Sequence, residues 1–347
     1  MIGYADIVID LQAGDTGKGK ISHHLAKQNE YDAVLRFNGG GNAGHTIYHN
    51  NEKIVTHQVP VGVFYDIPSI IGPGCVVNIE KLNSEIEMLR DHNFTGKIYV
   101  DQRVHVTTEQ HLTEDAKDVK IGTTKQGIGP TYRDKISRTG KRIADVINPY
   151  RNNSKFEIID VYDKFYNVNE KPQNILCEGA QGFQLDIDWG DYPYVTSSTC
   201  TSAAVAINGI APRYWRNIYG IIKAYETYSG HKNHFVDSDQ AKKFGSVFKK
   251  IQVKGEEFGA TTGRERQVRW MHLDGVLQAM YINNVTDLII NKVDVLDDVE
   301  AWGVIFKNET YTFRKSRDFR KFVENTINWE YHHKLNDITW STSKAGI

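Results

Sequence analysis

Ala5-Asp6-Ile7-Val8-Ile9-Asp10-Leu11 runs directly into Gln12-Ala13-Gly14-Asp15-Thr16-Gly17-Lys18-Gly19-Lys20. The first seven residues read as a buried strand. The next nine form a glycine-rich, doubly basic turn, and a helix-like segment follows through Leu25 and Ala26. Glycines let backbone N–H groups approach a phosphate, and the helix start adds partial positive charge. Asp15 has the wrong sign for a simple phosphate cradle. A carboxylate among phosphate ligands holds a cation or moves a proton, so the loop points to phosphoryl chemistry. Its glycine-to-lysine spacing is too short for G-x-x-x-x-G-K-[ST]. Taken alone, the same letters also fit an ordinary tight strand–helix turn.

Outward from this loop, short apolar runs recur at Ala33–Phe37, Ser69–Ile71, Ile98–Val100, Ile175–Cys177, Ile218–Lys223 and Leu288–Asn291. Several lead into glycine-containing turns. The pattern predicts an α/β fold, one domain over residues 1–347, with a mainly parallel central sheet covered by helices on both faces. Lys81–His92 and Trp270–Val285 read as amphipathic helices. The glycine- and threonine-rich basic stretch Lys120–Arg142 reads as a mobile active-site loop, and the chain beyond about Lys307 carries little functional signal. A net charge of -1 gives no basic footprint for nucleic acid or an anionic membrane. Three scattered cysteines exclude a disulfide framework or a zinc site. No signal peptide or bilayer-length apolar run is expected, so the setting expected is cytoplasmic.

Further chemistry-bearing segments follow strands. Arg36-Phe37-Asn38-Gly39-Gly40-Gly41-Asn42-Ala43-Gly44-His45-Thr46 places a histidine where it can protonate an oxygen. It fits a backbone-bonded turn histidine equally. Ile121–Lys135 combines hydroxyls, glycines and cations suited to a nucleotide 5′-phosphate, or to a solvated basic loop. Glu178-Gly179-Ala180-Gln181-Gly182 carries an amide able to donate to a purine carbonyl oxygen, and Thr196, Ser197 and Ser198 lie beyond it. Gly259–Trp270 gathers alternating arginines that suit a dicarboxylic substrate. Asn291-Lys292-Val293-Asp294 reads guanine, since a carboxylate pairs with its N1–H and 2-amino group. A guanine-nucleotide switch without synthetic chemistry also fits the glycine-rich loops and Asn291–Asp294. It has no use for His45, Gln181 or the Thr261–Arg266 turn.

Together, from about Asp6 to Asp297, these segments resemble the adenylosuccinate synthetase family. Its patterns Q-W-G-D-E-G-K-G-K, G-G-x-N-A-G-H-T, T-T-x-x-G-I-G-P-x-Y, E-G-A-Q-G, Y-P-Y-V-T-S-S and G-A-T-T-G-R-x-R all have counterparts. The resemblance implies a ligase with a P-loop-NTPase-like nucleotide site. It would use GTP and Mg²⁺ to phosphorylate a purine 6-oxygen, which the amino group of L-aspartate then displaces. By position, Asp15, His45, Lys18 and Gln181 would be catalytic, and Asp15 with the Gly44 carbonyl would hold the metal. Asn42, Thr124, Thr196 and Ser229 would bind the substrate nucleotide, joined by Arg138 from the second subunit of a homodimer. Thr261, Thr262, Arg264 and Arg266 would bind aspartate. Gly17, Lys18, Gly19, Lys20, Lys292 and Asp294 would bind GTP.

Departures from the family concentrate near the base and phosphoryl sites. Trp and Glu of the first motif are Ala13 and Thr16, and R-V-G-A-G-P-F-P-T-E becomes the stretch opening Tyr228-Ser229-Gly230. Much of the family's sequence between Arg142 and Asn174 is missing. V-I-D-L-Q-x-G-x-T-G-K-G resembles the viral branch that joins aspartate to dGMP, which implies a host cytoplasm if the chain is viral. That branch generally carries serine at the position of Asp15 and tends to prefer ATP. The reading therefore leans to dGMP or GMP as substrate with GTP as donor, with IMP the alternative.

Overall fold

The computed structural model describes residues 1–28, 30–50, 52–118, 122–147, 155–169, 171–230, 232, 235–259 and 263–342. Nine strands form its central sheet: β1 (Ile2–Asp10), β2 (Ala33–Arg36), β3 (Ser69–Ile71), β4 (Ile98–Asp101), β5 (Glu157–Ile159), β6 (Gln173–Glu178), β7 (Trp215–Lys223), β8 (Asp287–Asn291) and β9 (Asp337–Trp340). Their order is β9-β8-β7-β1-β6-β2-β3-β4-β5. Every neighbouring pair is parallel. The chain leaves β1 toward one side and returns through β7 on the other, so β1 is where the strand order reverses.

Two-sided burial explains why these runs are strands. Ile7 and Ile9 of β1, Leu35 of β2, Ile175 and Cys177 of β6 and Ile290 of β8 enter one apolar cluster. Alternate residues Val8, Val34, Leu176 and Ile289 enter a second cluster on the opposite face. Successive strand side chains point to opposite faces, so a continuous apolar run is what a doubly covered sheet needs. All seven strands expected from the sequence are present. The two edge strands, β5 and β9, were not expected. They are half-exposed and mix polar with apolar residues, so they lack the continuous apolar signal.

Helix α1 (Lys18–Lys27) begins in the first loop, and α2 (Ile79–Asp91) is capped by the Asn78 side chain accepting from the Lys81 amide. The expected helix over Trp270–Val285 is corrected to a strand, Gln267–His272, followed by α3 (Leu273–Asn283). Trp270 pairs with Tyr225 and Met271 with Val304 in a four-stranded side sheet. Cross-strand pairing thus takes the aromatic part of that apolar stretch. Lys120–Arg142 is likewise not simply a loop: Ile128–Ser137 is helical, and Ile128 and Tyr132 pack against Val76. The C-terminal part supplies a helix, Ser316–Glu330, and β9, and Ser341 beyond β9 reaches the first loop. Among the described residues, no helix is long and apolar enough to cross a membrane. All three cysteines are free and buried.

Candidate active site

Five central strands end on polar residues: Asp10, Arg36, Glu178, Lys223 and Asn291. Each is 2% exposed or less. A buried charge is retained only when paired, and each charged member has its partner here. Asp10 Oδ2 lies 3.1 Å from Lys18 Nζ. Arg36 Nε donates to Glu178 Oε1 at 2.8 Å and Nη2 to the same oxygen at 2.5 Å. Lys223 Nζ lies 3.1 Å from Glu257. Asn291 donates to the Thr16 carbonyl at 2.7 Å and accepts from Lys20 Nζ at 2.6 Å. These ends lie under the floor of a cleft of about 750 Å³, which is lined by Asn291 itself and by the partners Lys18, His45 and Glu257 of the others. Ligand sites of parallel α/β sheets lie outside the carboxyl ends of strands, where strand order reverses.

The first loop crosses the floor. Gly17 caps α1 at φ 99, and a Cβ there would come within 2.9 Å of Asn291 Nδ2. Lys18 is buried, its ammonium shared between Asp10 and the Gln181 carbonyl at 2.5 Å. Lys20 donates to Ser341 at 2.7 Å as well as to Asn291, and burial pushes its ammonium down to about 8 against the nearby Asp294. His45 stacks over the loop, since a Cβ on Gly19 would sit 2.8 Å from His45 Cβ. Its Nδ1 accepts from Arg36 Nη2 at 3.1 Å. Burial, reinforced by the charges of Arg36 and Lys18, holds the imidazole well below 6.5. The ring is therefore neutral near pH 7, with its proton on Nε2.

At the rim, Asp15 is exposed with φ 58. Its Oδ2 accepts from Ser229 Oγ at 2.9 Å and lies 3.1 Å from Arg266 Nε. Arg266 Nε also donates to Ser229 Oγ at 3.0 Å, and Nη1 to Glu257 Oε2 at 2.6 Å. Burial pushes Glu257 up, but Lys223, Arg266 and Lys292 outweigh it and hold the carboxyl at about 2. Asn42, Gly44, Thr124, Thr196, Gln181, Lys292 and Asp294 also line the cleft. Lys292 Nζ donates to the Gly255 carbonyl at 2.9 Å. Gln181 Oε1 is buried without a hydrogen-bond partner among the described residues.

Two expected site residues stand apart. Arg138 caps the C-terminal end of Ile128–Ser137, exposed, and is not among the residues lining the cleft. Arg264 is exposed and donates to the Gly122 carbonyl at 3.0 Å. Thr261 and Thr262 lie outside the described residues. The departures at positions 13 and 228 meet: Tyr228 and Phe235 pack with the small Ala13, and Tyr194 meets Tyr228 edge-on at 6.5 Å. Asp10, Arg36, Glu178, Lys223 and Glu257 were missed from sequence. A charged residue closing an otherwise apolar strand, as in Leu35-Arg36, Cys177-Glu178 and Ile222-Lys223, was the available signal.

A parallel sheet whose carboxyl edge carries a glycine–lysine loop, a neutral histidine and a lysine–aspartate turn has the makings of a phosphoryl-transferring nucleotide enzyme. The sequence model of adenylosuccinate synthetase matches residues 7–165 and 150–330, and the chain belongs to that family. It is 37% identical over 339 residues to the adenylosuccinate synthetase of Helicobacter pylori (strain Shi470), covering 86% of this chain and 80% of that one. The Phocaeicola vulgatus enzyme is 35% identical over 342 residues, covering 85% and 79%. Among solved structures, the fully ligated Plasmodium falciparum adenylosuccinate synthetase superposes with a TM-score of 0.80 at 26% identity, covering 97% of each chain. Cyanophage S-2L succinoaminodeoxyadenylate synthetase, bound to dGMP and dATP, gives 0.71 at 19% identity over 94% and 99%, a likeness of fold. The chain is thus a carbon–nitrogen ligase of the adenylosuccinate synthetase type, and the non-synthetic switch reading gives way.

Proposed function

We propose that this chain uses GTP to join L-aspartate to C6 of a purine nucleoside 5′-monophosphate, and that it favours a 2-amino-6-oxopurine, dGMP or GMP. The observation that carries this reading is the meeting of Asp15, Ser229 and Arg266 within 3.1 Å, in the cleft that also holds Lys18, His45 and Gln181. In the proposed reaction Asp15 takes the purine N1 proton, and O6 attacks the γ-phosphorus as its bond to the GDP leaving oxygen breaks. The aspartate amino group then bonds to C6 as phosphate departs. Lys18 and the His45 Nε2–H face the charge spread over the transferring group. The Gln181 amide N–H donates to the 6-oxyanion.

Arg266 and Arg264, with Thr261 and Thr262, take the aspartate carboxylates. Lys292 and Asp294 take the guanine of GTP, while Gly17, Gly19 and Lys20 meet its phosphates. Asn42, Thr124 and Thr196 hold the substrate phosphate. Among the described residues no cluster of three metal-ligating side chains exists. One carboxylate, Asp15, with the Gly44 carbonyl suits Mg²⁺, which fills most of its shell with water and phosphate oxygens. Bound there, the ion would neutralise charge on the phosphates.

Ser229 supports the 2-aminopurine preference. C2 adjoins N1, and the hydroxyl 2.9 Å from Asp15, the proposed acceptor of the N1 proton, can accept from a 2-amino group. IMP is the second reading, favoured by the 35–37% identity to adenylosuccinate synthetases. Exposed Arg138, away from the cleft of its own chain, fits a homodimer in which it reaches the partner's site. Product formation with GTP, Mg²⁺ and L-aspartate, offering IMP, GMP and dGMP in parallel, tests the reading. Preference for dGMP or GMP supports it, preference for IMP replaces the base, and no aspartate-dependent product overturns it.

A further inference from the structure

We propose that Asp10 is a positioning residue for phosphoryl transfer: its buried carboxylate fixes the ammonium of Lys18 and, through Thr16, the loop that carries it. The inference rests on the ligase reading above, in which Lys18 meets the transferring group. Asp10 closes β1, fully buried, and both its oxygens are used. Oδ1 accepts from the Gln12 amide at 2.8 Å. Oδ2 accepts from Thr16 Oγ1 at 2.5 Å, the Thr16 amide at 3.3 Å and Lys18 Nζ at 3.1 Å.

One oxygen therefore ties the backbone of the loop, its hydroxyl and its lysine to the end of a central strand, β1. An ammonium has three donors. Asp10 and the Gln181 carbonyl occupy two, which leaves the third for an anion in the cleft. A lysine held in this way approaches a phosphoryl oxygen from one direction rather than sampling many, and pre-paid orientation of that kind speeds transfer. The linkage continues sideways, since Asn291 donates to the Thr16 carbonyl. A displacement of Thr16 would thus reach the lysine–aspartate turn as well.

Two sequence features take their meaning from this carboxylate. A Cβ on Gly182 would lie 2.6 Å from Asp10 Oδ1 and 2.3 Å from the Gln12 carbonyl. The last glycine of Glu178-Gly179-Ala180-Gln181-Gly182 is therefore the space into which Asp10 fits. The family motif carries Glu where this chain has Thr16. Thr16 Oγ1 and Lys18 Nζ share one oxygen of Asp10, so a carboxylate projecting from position 16 would fall beside the same ammonium. In this chain the negative charge comes from the strand end, and the loop residue has become its hydrogen-bond donor.

Steady-state and single-turnover kinetics on the full-length protein test the proposal. Asp10→Asn keeps the shape and removes the charge. It should lower kcat about 10- to 100-fold while the KM values for aspartate and the purine nucleotide stay within about twofold. In a Lys18→Ala background the same substitution should cost less than about twofold, because the two residues act as a unit. Asp10→Asn combined with Thr16→Glu should recover at least about tenfold of the loss, since it returns a carboxylate to the lysine from the other side. Should Asp10→Asn fail to fold, Thr16→Val gives the same cycle: a few-fold loss of kcat with Lys18 present and none without it. An unchanged kcat, an equal loss in the Lys18→Ala background, or a parallel rise in every KM overturns the proposal. Wild-type protein that forms no aspartate-dependent product overturns the ligase reading instead, and so separates the two failures.

Discussion

The floor and the rim of the cleft are built on different principles. On the floor, Asp10, Arg36, Glu178, Lys223 and Asn291 close parallel strands, and the strand register sets Glu178 beside Arg36 and Lys223 beside Asn291. Each is buried and bonded before any substrate arrives. On the rim, Asp15 and Ser229 are 214 residues apart in sequence and meet only because two loops fold over the same edge. Both are exposed, and Asn42, Thr124 and Thr196 are half-buried. The contrast separates what the fold must have from what the substrate chooses. Breaking a floor ion pair costs stability, whereas the rim can change its ligand at small structural cost.

The hardest way to break this division is to remove a floor charge. Glu178→Gln leaves the buried Arg36 guanidinium without its carboxylate, and the Val61 amide loses an ionised acceptor at Oε2. Breaking a buried pair costs about 3–5 kcal/mol. Denaturant unfolding should show a loss of that size, whereas a loss under about 1 kcal/mol would mean that the floor is not held by its pairs. His45→Gln tests the floor's chemistry rather than its stability. With the proposed general acid gone, turnover should fall about 10²- to 10⁴-fold, with little change in the unfolding midpoint.

Acid should act on the floor and on the helix beside it. Burial holds His45 well below 6.5 and His23 at about 4, with His49 adding to the shift on His23. An unfolded chain takes up these protons near pH 6.5 and the folded chain does not. Stability is therefore present above about 6.5 and is lost as the pH falls toward 4. Glu257, held at about 2, acts in the same direction below its ordinary value of 4.5. Melting temperature measured from pH 8 to 4 should be flat above about 7 on account of these groups and decline below 6.5. His23→Phe should flatten the decline.

Sequence alone made the floor's location legible and hid its composition. The apolar runs at Ile7–Ile9, Val34–Leu35 and Leu288–Ile290 announce doubly buried strands, because nothing but burial on both faces calls for such runs. Glycine-rich loops directly after them then fix where ligands go. Charged residues closing those runs were passed over, since their partners lie far away: Glu178 is 142 residues from Arg36, and Glu257 is 34 from Lys223. On the rim the motif residues were legible but their company was not. The Ser229–Asp15–Arg266 contact depends on loop paths that no local pattern encodes. Edge strand Asp337–Trp340 escaped notice for a third reason, since a half-exposed strand mixes polar and apolar residues.

On the rim the expected effects shrink, beginning with Arg266→Lys. Lysine keeps the charge but cannot serve Glu257, Ser229 and Asp15 at once, as the guanidinium fork does. Charge-assisted hydrogen bonds are worth about 1.5–3 kcal/mol, so KM for aspartate should rise roughly 10- to 100-fold with folding intact. A KM that does not move would assign Arg266 to holding the rim closed rather than to the substrate.

Ser229→Val is the smallest change and the sharpest test of whether the rim chooses the base. The hydroxyl donates to Asp15 and accepts from Arg266, which leaves one lone pair to accept from a purine 2-amino group. Valine removes that acceptor and fills the space beside C2. A 2-amino nucleotide then loses a hydrogen bond and meets two methyl groups, while IMP, with only hydrogen at C2, loses neither. An unmade polar contact of this kind costs about 1–2 kcal/mol, so kcat/KM for dGMP relative to IMP should fall about tenfold, with the unfolding midpoint unchanged. An unaltered ratio would locate base choice elsewhere in the cleft, and the wall of Ala13, Tyr194 and Tyr228 is then the part of the rim left to carry it.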